Sequence, residues 1–256
     1  MSSEDTISPE HFTGNISIVT HENNDFRRII NNSSTQQLIV MCLNGKEDTG
    51  YHKHPFSSQF SFIEDGNGSL YIGNTQYKLE PGVAVVIPPG VPHMIVNDMK
   101  YEALKLYTIY SPPVYEKSSI RNTQGSERLD KNFKLLKEPF YDDLESLTLN
   151  NNNYRHVLYT TTQMQLVLMS LLPKQEIGME AHPYLTQFFR VEKGEGLADV
   201  CGARYILGED SFVVVPPNTQ HNIINSSAVK SMKLYTIYAP PNHADGKIDI
   251  MKPRED

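Results

Sequence analysis

The sequence predicts an all-β protein: two tandem antiparallel β-barrels of the jelly-roll type, joined by a polar, partly helical linker. Three observations predict it. The chain repeats itself once, each repeat is a string of short apolar segments, and Gly, Pro and Asn punctuate those segments at close intervals.

The repeat comes first. Residues 37–43, QLIVMCL, return as QLVLMSL at 165–171, and residues 104–113, LKLYTIYSPP, return as MKLYTIYAPP at 232–241. Between them VVIPPGVPHMIVN at 85–97 returns as VVVPPNTQHNIIN at 213–225. One offset of 128 serves all three, and residues 26–113 align with 154–241 without a gap at roughly 31 identities in 88 positions. A period this long is a duplicated domain and not a solenoid. It divides the chain into an N-terminal arm (1–25), a first domain (26–113), a linker (114–153), a second domain (154–241) and a C-terminal tail (242–256). The linker stretch NFKLLKEPFYDDLESL has the composition for a short helix before Pro139.

The segments inside a repeat are four to eight residues long and rich in Val, Ile, Tyr and Phe, which is strand chemistry. Gln37–Leu43, Gln59–Ile63, Gly68–Ile72, Ala84–Ile87 and Leu104–Tyr110 are examples. The turns fall at 64–68, Gly73-Asn74 and Pro88-Pro89-Gly90. Strands such as LYTIY are apolar on both faces, as expected where a barrel core covers one side and the other copy covers the other. Tyr107 and Tyr235 then fill a core or the interface between copies.

Composition excludes several classes. A net charge of −7 with scattered Lys and Arg gives no nucleic-acid footprint. The longest apolar runs, Val83–Ile87 and Leu166–Met169, are far too short for a membrane span. The polar N-terminus MSSEDTISPEHF is not a signal peptide, so a cytoplasmic protein is expected. Cys42 and Cys201 are read as reduced core or near-core residues. No nucleophile elbow, P-loop or dinucleotide fingerprint is present, which disfavours hydrolase, kinase and dehydrogenase chemistry.

The histidines carry the chemistry. His52 and His54 are two apart on a strand and share a face, and His93 from a neighbouring strand can complete a cluster. Gln59, beyond a bend, adds an oxygen. Three imidazoles and a weak oxygen donor with open positions suit Fe, Mn, Zn, Ni or Cu.

These residues resemble the cupins, whose motifs are roughly G-x5-H-x-H-x3,4-E-x6-G and G-x5-P-x-G-x2-H-x3-N. Gly82, Pro88, Gly90, His93 and Asn97 meet the second motif in full; His52, His54 and Gly66 meet the first, with Gln59 where Glu is usual. The resemblance implies a metal held by His52, His54, His93 and Gln59. The second copy departs further: Glu180 replaces the first His, His182 and His221 remain, and Gln187 again takes the Glu position. Asp210 and Asn218 stand at two motif glycines, while Asn225 is kept. The implied set Glu180, His182, Gln187 and His221 is similar to that of cupin-type phosphomannose isomerases, and the stretch IGMEAHPYLTQFFRVEKGEG resembles small mannose-6-phosphate isomerase-like cupins. Gln59 and Gln187 serve either as ligands or as groups orienting a ligand or substrate.

The expectation is a metal-dependent enzyme on a small polar molecule, by sugar or sugar-phosphate isomerisation or by O2-dependent cleavage. A small-ligand-binding or storage-type barrel is the alternative. The two domains are expected to pair within the chain, and a homodimer stays open. Asn97 and Asn225 are read as turn residues, Arg190 and Arg204 as solvated, His156 and His243 as incidental, and His11 and His21 as solvated.

Overall fold

A computed structural model describes residues 13–116, 135 and 137–253. Ahead of each repeat lies a strand followed by a one-to-two-turn helix: β1 (Thr13–Asn15) and α1 (Ile16–Glu22). The first repeat then runs through β2 (Arg28–Asn32), β3 (Gln37–Leu43), β4 (Ser58–Asp65), β5 (Gly68–Ile72), β6 (Thr75–Leu79), β7 (Val83–Ile87), β8 (His93–Asn97) and β9 (Leu104–Ser111). After β10 (Phe140–Asp143) and α2 (Leu144–Asn150), the second repeat returns the same series. It comprises β11 (Arg155–Thr160), β12 (Gln165–Leu171), β13 (Thr186–Lys193), β14 (Gly196–Val200), β15 (Ala203–Leu207), β16 (Ser211–Val215), β17 (His221–Asn225) and β18 (Met232–Ala239). β19 (Ile248–Asp249) closes the described chain.

Each repeat folds as a large sheet against a small one. In barrel 1 the large sheet has the order β10-β7-β4-β9-β3-β2 and the small one β6-β5-β8. Barrel 2 pairs β1-β16-β13-β18-β12-β11-β19 with β15-β14-β17. Strand alternation explains the two-faced apolar pattern. In β4, Gln59, Ser61 and Ile63 face the lumen side, while Phe60 and Phe62 join a core shared by both barrels. In β9, Leu106 and Tyr110 belong to barrel 1, and Tyr107 and Ile109 to the shared core. The hydroxyls of Tyr107 and Tyr235 meet there, at the pseudo-twofold axis.

The strand–helix units fasten the barrels together. β1 pairs with β16 of barrel 2, whereas α1 packs on β3, β4 and β9 of barrel 1. β10 pairs with β7 of barrel 1, and α2 packs on β12, β13 and β18 of barrel 2. Asn15 Oδ1 accepts from Ile18 N (2.9 Å), and Asp143 Oδ1 from Ser146 N (2.9 Å), so both helices carry side-chain N-caps. Ile16 and Leu144, both fully buried, plug the shared core. The 128-residue offset therefore extends back through segments whose shared sequence signals are a cap residue, the apolar pairs Ile16/Leu144 and Val19/Leu147, and Thr20/Thr148. The linker helix follows Pro139; of the stretch expected to hold one before it, residues 132–134 and 136 lie outside the described residues, as does His11.

Two expectations are corrected. Arg190 is not solvated but buried at the seam, bonded to Glu64 Oε1 (2.5 Å) and Asp210 Oδ1 (2.8 Å). It takes the place of Phe62 in the other repeat and lies over that ring, 4.2 Å from its centroid. Cys201 is exposed; Cys42 is the buried one. Arg204 is solvated as expected, with Asp199 3.6 Å away. No described helix is long and apolar enough to cross a membrane.

Candidate metal centres

The histidines come together because backbone pairing forces them to. His52 and His93 form an antiparallel bridge, with His52 N to His93 O at 3.0 Å and His93 N to His52 O at 2.8 Å. Side chains at such a pair lie on one face and close together. His54, two residues on, shares that face, and its carbonyl accepts from Gly90 N (2.8 Å). The Pro-x-Gly turn is thereby tied to the His-x-His segment. Gly90 has a left-handed φ of 75°, and its counterpart Asn218 reaches 60°, a conformation Asn tolerates better than most residues.

The ring centroids are 4.5 Å (His52–His93), 4.9 Å (His52–His54) and 5.7 Å (His54–His93) apart. One ring nitrogen from each lies within 4.8 Å of the others. Ligands about 2.1 Å from one ion stand roughly 3–4 Å apart, so small side-chain rotations close the gap.

In barrel 2 the same bridge joins Glu180 to His221, at 2.9 Å in both directions. Glu180 Oε1 lies 3.2 Å from His182 Nε2 and 3.5 Å from His221 Nε2, and the three ligand atoms fall within 4.8 Å of one another.

Both glutamines lie against these clusters. Gln59 Oε1 is 2.9 Å from His93 Nε2, and Gln187 Oε1 is 3.0 Å from His221 Nε2. Their amide nitrogens donate to Ser61 Oγ (3.2 Å) and Thr236 Oγ1 (3.1 Å).

The donor set fits a divalent cation. His93 Nδ1 faces Val91 O at 2.8 Å while Nε2 faces the Gln59 oxygen, so both ring nitrogens meet oxygens. A neutral imidazole has one hydrogen for the two. With Nδ1–H on the backbone carbonyl, Nε2 presents a lone pair to another lone pair, a conflict that a cation between them removes. His221 repeats the arrangement with Thr219 O (3.0 Å) and Gln187. His54 Nε2 is buried with no hydrogen-bond partner among the described residues. Burial, then the neighbouring His52 and Arg27, lowers the His54 pKa to about 3. Burial, helped by His52 and His54 and opposed by the Val91 carbonyl, holds His93 well below the usual histidine value. Both rings are thus neutral at physiological pH, the form that ligates. Burial works to raise the Glu180 carboxyl, but hydrogen bonds and charge from His182 and His221 outweigh it and bring the pKa to about 2.

Every residue read from the sequence as a ligand is therefore at one of the two clusters. Asn97 and Asn225 are turn residues as expected: Asn97 Nδ2 donates to the carbonyls of Leu43, Asn44 and Glu102, and Asn225 does the same at the matching positions. The surroundings hold residues that sequence reasoning passed over. Beside His54 lie Tyr110 (centroids 5.0 Å apart) and Tyr115 (6.3 Å), and the Arg27 guanidinium lies 3.7 Å from the Tyr115 centroid. In barrel 2, Tyr238 and His243 take the matching places, and Arg155 pairs with Asp249 at 2.8 Å. The available signal was that Arg27 and Arg155 coincide in the repeat.

The protein is similar to several known ones. L612, an uncharacterized protein of Acanthamoeba polyphaga mimivirus, is 45% identical over 111 residues, covering 42% of this chain and 69% of the relative. YrkC, an uncharacterized protein of Bacillus subtilis (strain 168), is 40% identical over 121 residues, covering 45% of this chain and 64% of the relative. Among solved structures, a Cupin 2 conserved barrel domain protein from Leptotrichia buccalis aligns over 89% of this chain and 95% of its own (TM-score 0.64, 15% identity). Salicylate 1,2-dioxygenase from Pseudaminobacter salicylatoxidans aligns over 83% and 76% (TM-score 0.62, 12% identity). Oxalate decarboxylase from Bacillus subtilis, studied for its Mn(II) centres, aligns over 94% and 80% (TM-score 0.55, 11% identity). At these identities the likeness is one of fold. The family model for the Cupin domain matches twice, at residues 39–110 and 167–238, once over each barrel. With its two barrels in one polypeptide, the chain belongs to the cupin family as a bicupin.

Proposed function

We propose that the protein is a metal-dependent enzyme acting on a small polar molecule. Barrel 1 holds a divalent transition-metal ion through His52, His54, His93 and Gln59, and barrel 2 through Glu180, His182, Gln187 and His221. The observation that carries this reading is the convergence of the His52, His54 and His93 ring nitrogens within 4.8 Å, with His54 Nε2 buried and lacking a hydrogen-bond partner among the described residues. When bound, the ion supplies Lewis acidity toward a carbonyl or vicinal oxygens and, if it is iron, a place for O2 chemistry.

The protein's own residues do the rest. Val91 and Thr219 fix the tautomers of His93 and His221, and Ser61 and Thr236 hold the two glutamine amides. The two histidines and one carboxylate of barrel 2 approach the facial set used for O2-dependent iron chemistry, and with Gln187 they form a four-donor set similar to that of cupin-type isomerases, so the donors suit either reaction. The solved dioxygenase and decarboxylase of the same fold support a metal-dependent reading.

Elemental analysis of untagged protein tests the reading, run beside His54→Ala and His182→Ala. The expected result is a transition metal near stoichiometric with each occupied barrel, lost from one barrel in each variant, with turnover lost along with the relevant ion. Folded wild type that carries no transition metal and takes none up would overturn it.

A further inference from the structure

Arg27 is about nine-tenths buried, and among the described residues its Nε has no hydrogen-bond partner and no carboxylate lies within ion-pair distance of it. Its guanidinium rests on the face of Tyr115, 3.7 Å from the centroid, with the Phe26 ring at 5.7 Å. Tyr115 in turn borders His54 and Tyr110. A guanidinium does not shed its proton in a protein. A buried charge of this kind is costly unless an opposite charge meets it.

The second barrel shows what meeting it looks like. Tyr115 and His243 are equivalent: Gln37 Oε1 accepts from Tyr115 N (3.1 Å), and Gln165 Oε1 accepts from His243 N (2.9 Å). Beyond that point, β19 pairs with β11 and brings Asp249 to Arg155 at 2.8 Å.

The candidate ligands differ in the same sense. Glu180 supplies a carboxylate to barrel 2, while His52, His54, His93 and Gln59 are all uncharged as ligands. A divalent ion in barrel 2 would share its surroundings with Arg155, Glu180 and Asp249. The same ion in barrel 1 would stand with Arg27 and no described carboxylate.

We propose that barrel 1 takes an anionic ligand, a small molecule with a carboxylate or phosphate group that pairs with Arg27 while a neighbouring oxygen faces His52, His54 and His93. This rests on the metal-centre reading above. The planar guanidinium fork suits two oxygens of either group, and the Tyr115 face holds it in register. Barrel 2 does not take this anion, because Asp249 already occupies Arg155.

Calorimetric titration of Mn2+-loaded full-length protein tests the assignment. The probes are glycolate and inorganic phosphate, with ethylene glycol as the neutral control. Wild type is expected to bind one anion per chain and no diol; a response to glycolate alone marks a carboxylate ligand, and to phosphate alone a phosphate ligand. Arg27→Met is expected to weaken the anion by about tenfold to a hundredfold, the worth of a charge-assisted hydrogen-bonded pair, at unchanged metal content. Asp249→Asn leaves barrel 1 untouched and is expected to create a second anion site by freeing Arg155, so the idea stays testable if Arg27→Met fails to fold. Metal content separates the two readings. Wild type that retains no Mn2+ overturns the metal centre. Loaded protein whose anion affinity survives Arg27→Met, or in which Asp249→Asn gains no site, overturns the anion assignment alone.

Discussion

The two barrels have nearly the same backbone and different charge. The strands of the aligned repeats, the helix caps, the Gln–His contacts and the Asn-tied turns coincide, yet barrel 2 has Glu180 for His52, Arg190 for Phe62 and Asp210 for Gly82. The charges of barrel 2 come in compensated sets: Arg155 with Asp249, and Arg190 with Glu64 and Asp210. Duplication lets one copy acquire buried charge only when partners arrive with it, because an uncompensated one would cost several kcal/mol. Asp210 shows the constraint at the level of the backbone. The position demands a left-handed φ, 87° at Gly82 and 62° at Asp210, and the strain of a side chain there is offset by its contact with Arg190.

Arg190→Met breaks the comparison most severely. It leaves Glu64 and Glu192, whose side chains are 5% and 3% exposed, facing each other and Asp210 without a cation. Removing one partner of a buried ion pair costs about 3–5 kcal/mol, read as a lower urea midpoint at unchanged slope. Adding Glu192→Gln, which removes a buried carboxylate, and Asp210→Gly, which restores the residue of barrel 1 at Gly82, should recover part of the loss. A single variant as stable as wild type would mean that the seam is held by its aromatic rings alone.

Much of this was legible in the sequence, for reasons specific to particular residues. The His52–His54 spacing and the Pro88-x-Gly90-x-x-His93 spacing are local backbone constraints, and local constraints leave local signatures. The strands Gly68–Ile72 and Gln37–Leu43 could be read to the residue because turn chemistry bounds them. Arg190 could not be placed, since an arginine amid QFFRVEK reads as solvated until the partner Glu64, 126 residues away, is known. The same holds for Arg27, whose interest lies in a carboxylate partner that Arg155 has and that no described residue supplies to it. The β1–α1 and β10–α2 units were hidden by their brevity: seven-residue helices with two buried side chains each have no period to detect.

Glu192→Gln sharpens the contrast at the seam. Burial raises the Glu192 pKa to about 7, against the pull of Arg190 and with further push from Glu145, Asp210 and Glu64. The folded state therefore binds a proton that the unfolded state releases near pH 4.5. The stability this proton confers is intact below that value and is lost as pH rises through about 7. The loss is of order 3 kcal/mol, from about 1.4 kcal/mol per pKa unit. Glu192→Gln should match wild type at pH 5 and exceed it at pH 8. Unfolding curves at the two pH values check this, and an equal gap at both would show that Glu192 titrates as it does in the unfolded chain.

The smallest effect lies at one residue where barrel 1 is the worse copy. Gln36 is 2% exposed, and neither its amide oxygen nor its amide nitrogen has a hydrogen-bond partner among the described residues. Its counterpart Met164, 1% exposed, belongs to the shared apolar core. The backbone at the two positions is the same: Gln36 N donates to Ser33 Oγ (2.9 Å), and Met164 N to Thr161 Oγ1 (2.9 Å). Methionine is close in length to glutamine and has no amide to desolvate, and burying an unpartnered amide costs about 1–3 kcal/mol. Gln36→Met should therefore stabilise the protein by about 1–2 kcal/mol, seen as a higher thermal midpoint with metal content unchanged. The reverse change, Met164→Gln, should cost a similar amount. If Gln36→Met instead destabilises, the glutamine amide has a partner in solution, and the asymmetry between the barrels at this position is one of hydrogen bonding and not of packing.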